Sequence, residues 1–573
     1  MEPNKTEETK RALQNLFNSI GKEIQSYYIT QNKEGDIFPV VYFFWVSVIC
    51  CPNCSINFEA HPHYILSEER KKGEKIVFCK NCHSVSLLKT NENKLICHDC
   101  GHETLIDTGV ISKGNYYCPE CGTSGSLLSL AESGNPFQKK LFAVEYEIIS
   151  EKGKAARKYK KADEFDFRVF NECKQRFDQL KEYLIFPKGE IPIKGRSDPR
   201  PVNYGYQYYY QLFNERQLLS LSLLWKEILK IEDKDVKEDL AISFSDSLAA
   251  NNMLCRYAFG YQKLTPLFGL HAYDVVTRPV ENNVWGTKLG RGSFSKCVEK
   301  MLEGKRYAEK PYEFKYEGDK SVKVFTGEKI SKRTISYLDS DGNYHNKCIL
   351  LNRSSLHMDD FKNNSIDLVL TDPPYYDNLS YSELSDFYYV WLKDLLSESN
   401  GIKGAESAPY RKSLFVNGND DKSPERFINE LTKIFSNCKR VLKSDGLMVF
   451  SFHHKKINAW ISIAKALLTA GFRITNVFPV RSEGKSGFHS FVGSIKWDCI
   501  LVCRPNDIEQ NFRGTTQSDF SSEFRYWVER IKSSNLDFSE ADECSLKFGI
   551  AIQNAVNNVT KKDDLEKLIY SFL

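Results

Sequence analysis

Four CxxC pairs between residues 51 and 121 constrain this chain more than any other feature. They are Cys51 and Cys54 in CPNC, Cys79 and Cys82 in CKNC, Cys97 and Cys100 in CHDC, and Cys118 and Cys121 in CPEC. A CxxC turn points two thiolates at one centre, and zinc takes four such ligands in a tetrahedron at about 2.3 Å. The last two pairs read C-x2-C-x17-C-x2-C, a zinc-ribbon spacing with GHETLIDTGVISKGNYY between them as hairpin material. The first two read C-x2-C-x24-C-x2-C, a longer version of the same arrangement. The spacing predicts two structural zinc sites of four cysteines each. It leaves open which pairs combine, interleaved pairing included, and His83, His98 and His102 are available as substitute ligands. Four repeats of one spacing argue against plain buried thiols. Four thiolates leave no open coordination position, so catalysis at these sites is not expected. Cys50 stands outside the pattern.

Composition sets the setting for those cysteines. At 573 residues the chain has room for three or four domains. Its 27% charged and 41% hydrophobic residues are ordinary for a soluble globular protein. A net charge of +4 is slight, so any nucleic-acid surface must be local. The N-terminus, MEPNKTEETKR, is charged and lacks the apolar stretch of a signal peptide. The most apolar run, IFPVVYFFWVSVICC (37–51), has 15 residues, a proline and many β-branched and aromatic side chains. That predicts a buried strand rather than a membrane span. The 17 cysteines then belong to a reducing, cytoplasmic compartment, where metal binding outweighs disulfides.

Between the cysteines and residue 346 the pattern is mixed. Residues 1–36 read as helical and polar. EKGKAARKYKK (151–161) sets six basic residues against one acid, a candidate phosphate-backbone contact or else a solvated face. NYGYQYYYQLFNERQLLSLSLLWKEILK (203–230) begins rich in tyrosine and becomes a helix with Leu218, Leu221, Leu224 and Trp225 on one side. Its tyrosines suit core packing, with stacking on exposed bases as the alternative. GTKLGRGSF (286–294) holds a lone G-x-G with no apolar strand before it, so it does not read as a nucleotide fingerprint.

From residue 346 strand and helix patterns alternate. KCILLNRSSL is a short strand ending in small polar residues, and SIDLVLT is a near-continuous apolar strand suited to a central parallel position. Helices follow in SYSELSDFYYVWLKDLL, in residues 424–442 and in AWISIAKALLTAGF, with strands at 445–452, RITNVFPV and KWDCILVCR. The last two strands are expected to pair antiparallel at a sheet edge. This is the second half of a doubly wound α/β sheet, in which ligands sit at the carboxyl ends of strands.

At one such end stands TDPPYYD (371–377). Two prolines close the strand, their fixed φ presenting carbonyls outward where missing N–H groups are no loss. The quartet Asp372, Pro373, Pro374 and Tyr375 resembles the DPPY signature of amino-methyltransferases, which act on the exocyclic amines of adenine or cytosine. With NSIDLVLTDPPYYD, LSYSELSDFYYVWL, RVLKSDGLMVFSFHHK and the CxxC pairs, residues of about 40 to 505 resemble the large adenine-specific DNA methylases that contain zinc ribbons. NYGYQYYYQLFNERQLLSL and LCRYAFGYQKL are similar to segments of that family as well. The resemblance implies that Asp372, Pro373, Pro374 and Tyr375 are catalytic, that S-adenosylmethionine is the cofactor, and that DNA is the substrate. It implies cofactor contacts from Arg353, Ser354, Ser355 and Leu356, from Asp372, and from Phe452 with His453 as pocket walls, with simple packing the alternative for Phe452. It also suggests a setting in restriction-modification or phage defence.

One part of the family pattern is absent. Such an enzyme also needs a glycine-rich turn on the first strand of the sheet, and no Gly-x-Gly or strand-end turn in this sequence fits it. The expectation is therefore a split enzyme: this chain supplies the DPPY half, and a second polypeptide carrying the glycine-rich cofactor motif completes a heterodimer. The chain then reads as an N-terminal helical segment and strand (1–45), two zinc ribbons (46–125) and a mixed, mainly helical middle region suited to DNA recognition (126–345). An incomplete Rossmann-like methyltransferase half-domain (346–505) and a C-terminal helical segment (506–573) follow. Competing readings are a non-catalytic zinc-containing specificity subunit that binds DNA, and a cytosine-N4 or RNA methyltransferase. A zinc nuclease is disfavoured, because no carboxylate cluster with an open metal position is evident.

Overall fold

The computed structural model describes residues 5–132, 135–193, 198–269, 272–317, 320–328, 351, 353–377, 379–400, 414, 416, 423–482, 495–506, 517–534 and 536–573. The chain forms two compact units, one of residues 1–332 with 383–408, the other of residues 333–382 with 409–573. No described helix is long and apolar enough to cross a membrane.

In the first unit, α1 (Thr6–Leu16) and β1 (Ile29–Gln31) lead into the apolar run, which forms one strand, β2 (Ile37–Cys50). The expectation of a buried strand holds. β2 pairs antiparallel with β1, β3 (Asn57–Glu59), β4 (Lys139–Ile149) and β6 (Val280–Asn282), while β5 (Ala155–Lys161) extends the sheet beyond β4. Its side chains feed two cores. Val40, Phe43 and Trp45 join a helical core, and Val41, Tyr42, Phe44 and Val46 join the core beneath one cysteine module. This two-sided burial is why the run reads as uninterrupted apolar sequence rather than as an alternation.

The helical core is built by α2 (Glu164–Leu180), α3 (Glu215–Leu229), α4 (Lys234–Leu248), α5 (Phe294–Glu309) and α6 (Tyr381–Asn400). Capping boxes at Asp163 and Asn214 start α2 and α3. Where α3 begins, buried Arg216 makes two 2.7 Å bonds to buried Glu281, which also accepts from the Trp45 indole at 2.9 Å. The guanidinium lies 3.7 Å from the Phe43 ring centre. α6 is the patterned helix after TDPPYYD, and from Glu383 onward it belongs to this unit. Phe387 stacks on Phe213 at 5.8 Å, and Trp391 packs edge-on against Phe213 and Phe244.

Two segments resolve between their alternative readings. Tyr206 and Tyr209 are buried, and Tyr209 donates to Asp386, so these tyrosines are core residues. In the basic segment residues 155–161 form strand β5 and residues 151–154 the turn before it. Arg157 is paired with buried Glu145, and Lys160 with Asp163 and Asp166, which leaves Lys152, Lys154, Lys158 and Lys161 exposed.

The second unit holds β7 (Ile366–Thr371), α7 (Pro424–Val441), β8 (Leu442–Phe452), α8 (Ile457–Ala470), β9 (Phe472–Arg481) and β10 (Trp497–Pro505). Three helices follow: α9 (Gln517–Ser533), α10 (Glu540–Asn558) and α11 (Leu565–Ser571). The sheet order is β7-β8-β10-β9. β7 and β8 are parallel, and β10 is antiparallel to both β8 and β9. The expected β9–β10 pair is present, with β9 at the edge. Gly471, at φ +80°, ends α8 in the left-handed conformation that turns the chain into β9. α10 packs on β9, where Asn557 bonds both the N–H and the C=O of Ile474.

The parallel pairing expected of β7 is present, with β8; among the described residues β7 has no second neighbour, and Leu368 and Leu370 are 51% and 73% exposed. Most of the strand expected at 347–351 lies outside the described residues. The sheet of this unit is mixed, and a complete doubly wound sheet is not among the described elements.

Candidate active site and metal centres

Parallel pairing of β7 with β8 sets Thr371 opposite Phe450, so Asp372 leaves its strand beside Ser451. The Ser451 hydroxyl donates to Asp372 Oδ1 at 2.7 Å and lies 2.8 Å from the Tyr375 hydroxyl. A carboxylate can only accept, so the bonds run from Tyr375 to Ser451 to Asp372. Asp372 is exposed, Pro373 buried, and Pro374 and Tyr375 half-buried. Burial, with the Asp498 and Asp372 charges adding to it, holds the Tyr375 phenol well above its ordinary range, so it stays a donor.

The turn after the motif is braced. Tyr376 is buried at φ +58°, a left-handed conformation that is strained for a bulky side chain. Its ring packs on Phe427 and His454, and its carbonyl accepts from Val416 at 2.9 Å. Asp377 bonds His454 Nε2 at 2.8 Å and Lys456 Nζ at 2.6 Å. Burial opposes ionisation of Asp377, but these two partners outweigh it and bring its carboxyl below the ordinary range.

Phe452 is fully buried between Trp460, at 4.9 Å, and Tyr375, at 5.3 Å. His453 follows it, bonded through Nδ1 to Asp498 and 4.7 Å from the Tyr375 ring. Asp372, Pro373, Pro374, Tyr375, Phe452 and His453 are thus brought together. Arg353, Ser354, Ser355 and Leu356 are not. Leu356 O accepts from Asn437, near the end of α7, and Arg353 pairs with Asp360. Asn364 and Ser365 bond Arg440 and Val441 where β7 starts. At about 3.3 Å per residue, the six residues from Ile366 to Asp372 put that end of the sheet about 20 Å from the carboxylate. Sequence reasoning missed Ser451, Asp498, Asp377 and His454. The one available signal for Ser451 was its place as the polar residue between Phe450 and Phe452.

The eight cysteines form two clusters. Cys51 and Cys54 meet Cys118 and Cys121, and Cys79 and Cys82 meet Cys97 and Cys100, so the pairs are nested rather than sequential. All four knuckles share one turn. The first cysteine's N–H donates five residues ahead, to Ile56, Ser84, His102 or Thr123, and its carbonyl accepts from the residue after the second cysteine. That residue is Ser55, His83, Gly101 or Gly122, each at positive φ. Cross-pair sulfurs stand 3.5–3.7 Å apart, close to the roughly 3.8 Å edge of a zinc–thiolate tetrahedron. Both clusters could hold zinc as closed, structural centres. A third group, Glu59, His61 and His83, is different. Both imidazole Nε2 atoms bond the same Glu59 oxygen, at 3.0 and 2.7 Å, and Lys140 takes the other oxygen at 2.8 Å. These are hydrogen-bond contacts, tighter than the roughly 3.3 Å between ligands sharing one zinc.

Residues 366–560 match a family model, N6_N4_Mtase, described as DNA methylase. This part of the chain is similar to DNA methylases. The match opens on Ile366, the first residue of β7, and closes just after α10. No curated protein and no solved structure matches the chain. The matched stretch therefore contains the Asp372 cluster and lies wholly after the cysteine clusters.

Proposed function

We propose that the chain is the catalytic subunit of an S-adenosylmethionine-dependent DNA methyltransferase acting on adenine N6. The observation that carries this reading is the exposed Asp372 carboxylate at the exit of a parallel strand, anchored through Ser451 to the Tyr375 phenol. An aryl amine is a poor nucleophile because its lone pair is delocalised into the ring. Asp372 accepts one amine hydrogen and the Pro373 carbonyl the other, which draws the nitrogen toward tetrahedral geometry. Tyr375, its hydroxyl committed to Ser451, offers a ring face to a base rotated out of the duplex. S-adenosylmethionine supplies the methyl group on a positive sulfonium, so the residues around the amine need only orient it. Asp372 and the segment around it form this chain's contribution to the cofactor pocket, and Arg353–Leu356 are not part of the proposal.

The other half of that pocket comes from a second polypeptide. Among the described residues no glycine-rich turn ends a strand of this sheet, β7 has a partner along one edge only, and Leu368 and Leu370 are exposed on one of its faces. A partner with a glycine-rich strand–turn–helix would pair along that edge and form a heterodimer, in the setting of self-marking against foreign DNA. Zinc at the two cysteine clusters would brace the region that precedes the methylase domain.

The test is to purify the chain with the product of its neighbouring gene and analyse modified bases by mass spectrometry. N6-methyladenine is expected, and Asp372→Ala should lower it at least about 100-fold with the thermal transition unchanged. Methylation retained by that variant overturns the site. N4-methylcytosine in its place overturns the choice of base. Full activity of the isolated chain overturns the partner.

A further inference from the structure

Transfer of a methyl group to an amine leaves a proton to be removed. The nitrogen lone pair forms the new C–N bond as the C–S bond breaks, and the electrons of that bond stay on sulfur, which departs as a neutral thioether. The nitrogen is left positive and must release one proton per turnover. We infer that His453, oriented by Asp498, is the final acceptor of this proton at Nε2, after Asp372 has taken it from the amine and passed it on through solvent, an inference that rests on the methyltransferase reading above.

The placement follows from sheet register. Phe452, the last residue of β8, stands opposite Cys499 of β10, so His453 emerges beside Asp498. Asp498 Oδ1 bonds His453 Nδ1. Because a carboxylate only accepts, Nδ1 carries the hydrogen and Nε2 keeps its lone pair. Nε2 has no protein partner among the described residues, and the side chain is 24% exposed. The imidazole lies edge-on to the Tyr375 ring at 4.7 Å and 76°. The hydroxyl of the same phenol reaches Asp372 through Ser451. Tyr375 therefore touches His453 with its ring and Asp372, through Ser451, with its hydroxyl.

The groups facing His453 are Asp498 from β10, Tyr375 and beyond it Asp372 from the segment after β7, and His454 next along the chain. The two histidines have different duties. His454 is buried, with Nε2 committed to Asp377, and serves as a brace. His453 is open to solvent and backed by a carboxylate that compensates the imidazolium as it forms.

Two measurements test the assignment. Nitrogen NMR of the full chain labelled with 15N-histidine should show one imidazole locked as the Nδ1–H tautomer, and Asp498→Ala should abolish that signature. This readout needs neither cofactor nor partner. In the purified complex, His453→Gln should lower the single-turnover methylation rate about 100-fold, with DNA affinity unchanged. An unaltered rate in His453→Gln, or a tautomer indifferent to Asp498→Ala, overturns the inference while wild-type activity stands. A wild-type complex that methylates nothing overturns the methyltransferase reading, and this one with it.

Discussion

β2 and β7 are both near-continuous apolar strands, yet their surroundings differ. β2 has partners on both sides, and its residues from Val40 to Val46 are buried between two cores. β7 has a described partner along one edge only, and its Leu370 is 73% exposed. An apolar strand reports that its side chains are meant to be covered. It does not report whether the same chain supplies the cover. In the first unit the buried Arg216–Glu281 pair, with the Trp45 indole on Glu281, ties β2 to the start of α3. Among the described residues the second unit has no strand along the other edge of β7, which is the edge the proposed partner would take.

The contrast can be attacked at three strengths. The largest effect is expected from metal, because β2 runs directly into Cys51, and structural zinc in small sites contributes about 10–16 kcal/mol of apparent folding free energy. Chelation should melt the first unit, and nested pairing fixes the stoichiometry. Cys54→Ser with Cys118→Ser should remove one zinc by elemental analysis, and Cys54→Ser with Cys97→Ser two. Equal losses from both double variants would show that the pairing is not nested. Next is Phe43→Ala on β2, expected to cost about 3–5 kcal/mol in denaturant unfolding, since the fully buried ring also lies under the Arg216 guanidinium. The smallest effect belongs to Leu368→Ser with Leu370→Ser on β7: a change within about 0.5 kcal/mol for the isolated chain, with less self-association. A loss of several kcal/mol there would mean that this chain covers β7 itself, and the contrast with β2 would fail.

Much of this was legible in sequence wherever covalent spacing carried the information. Each CxxC turn closes locally, so both clusters were foreseen, and the DPPY quartet sits at a strand end because two prolines cannot continue a ladder. Pairing of the knuckles was not legible. Closing the long loop from Cys54 to Cys118 instead of the short one to Cys79 costs under about 1 kcal/mol in chain entropy, too little for spacing to decide. Ser451 and Asp498 were invisible for another reason. Each is a lone polar residue in a strand, and only sheet register brings them to Asp372 and His453. The basic segment misled by half, because charge on paper does not show that Arg157 and Lys160 answer Glu145 and Asp166 inside the fold.

The two units are not consecutive in the chain. It passes from one to the other three times, after residues 332, 382 and 408, and the middle excursion is the stretch around α6. No single cut can therefore yield both parts intact. A fragment starting at residue 333 would carry α6 without the core that buries Phe387 and Trp391, and one starting at 409 would lack β7 and the quartet altogether. Any gene that parcels this protein into modules, whether by engineering or by descent, has to keep that insertion together with its host.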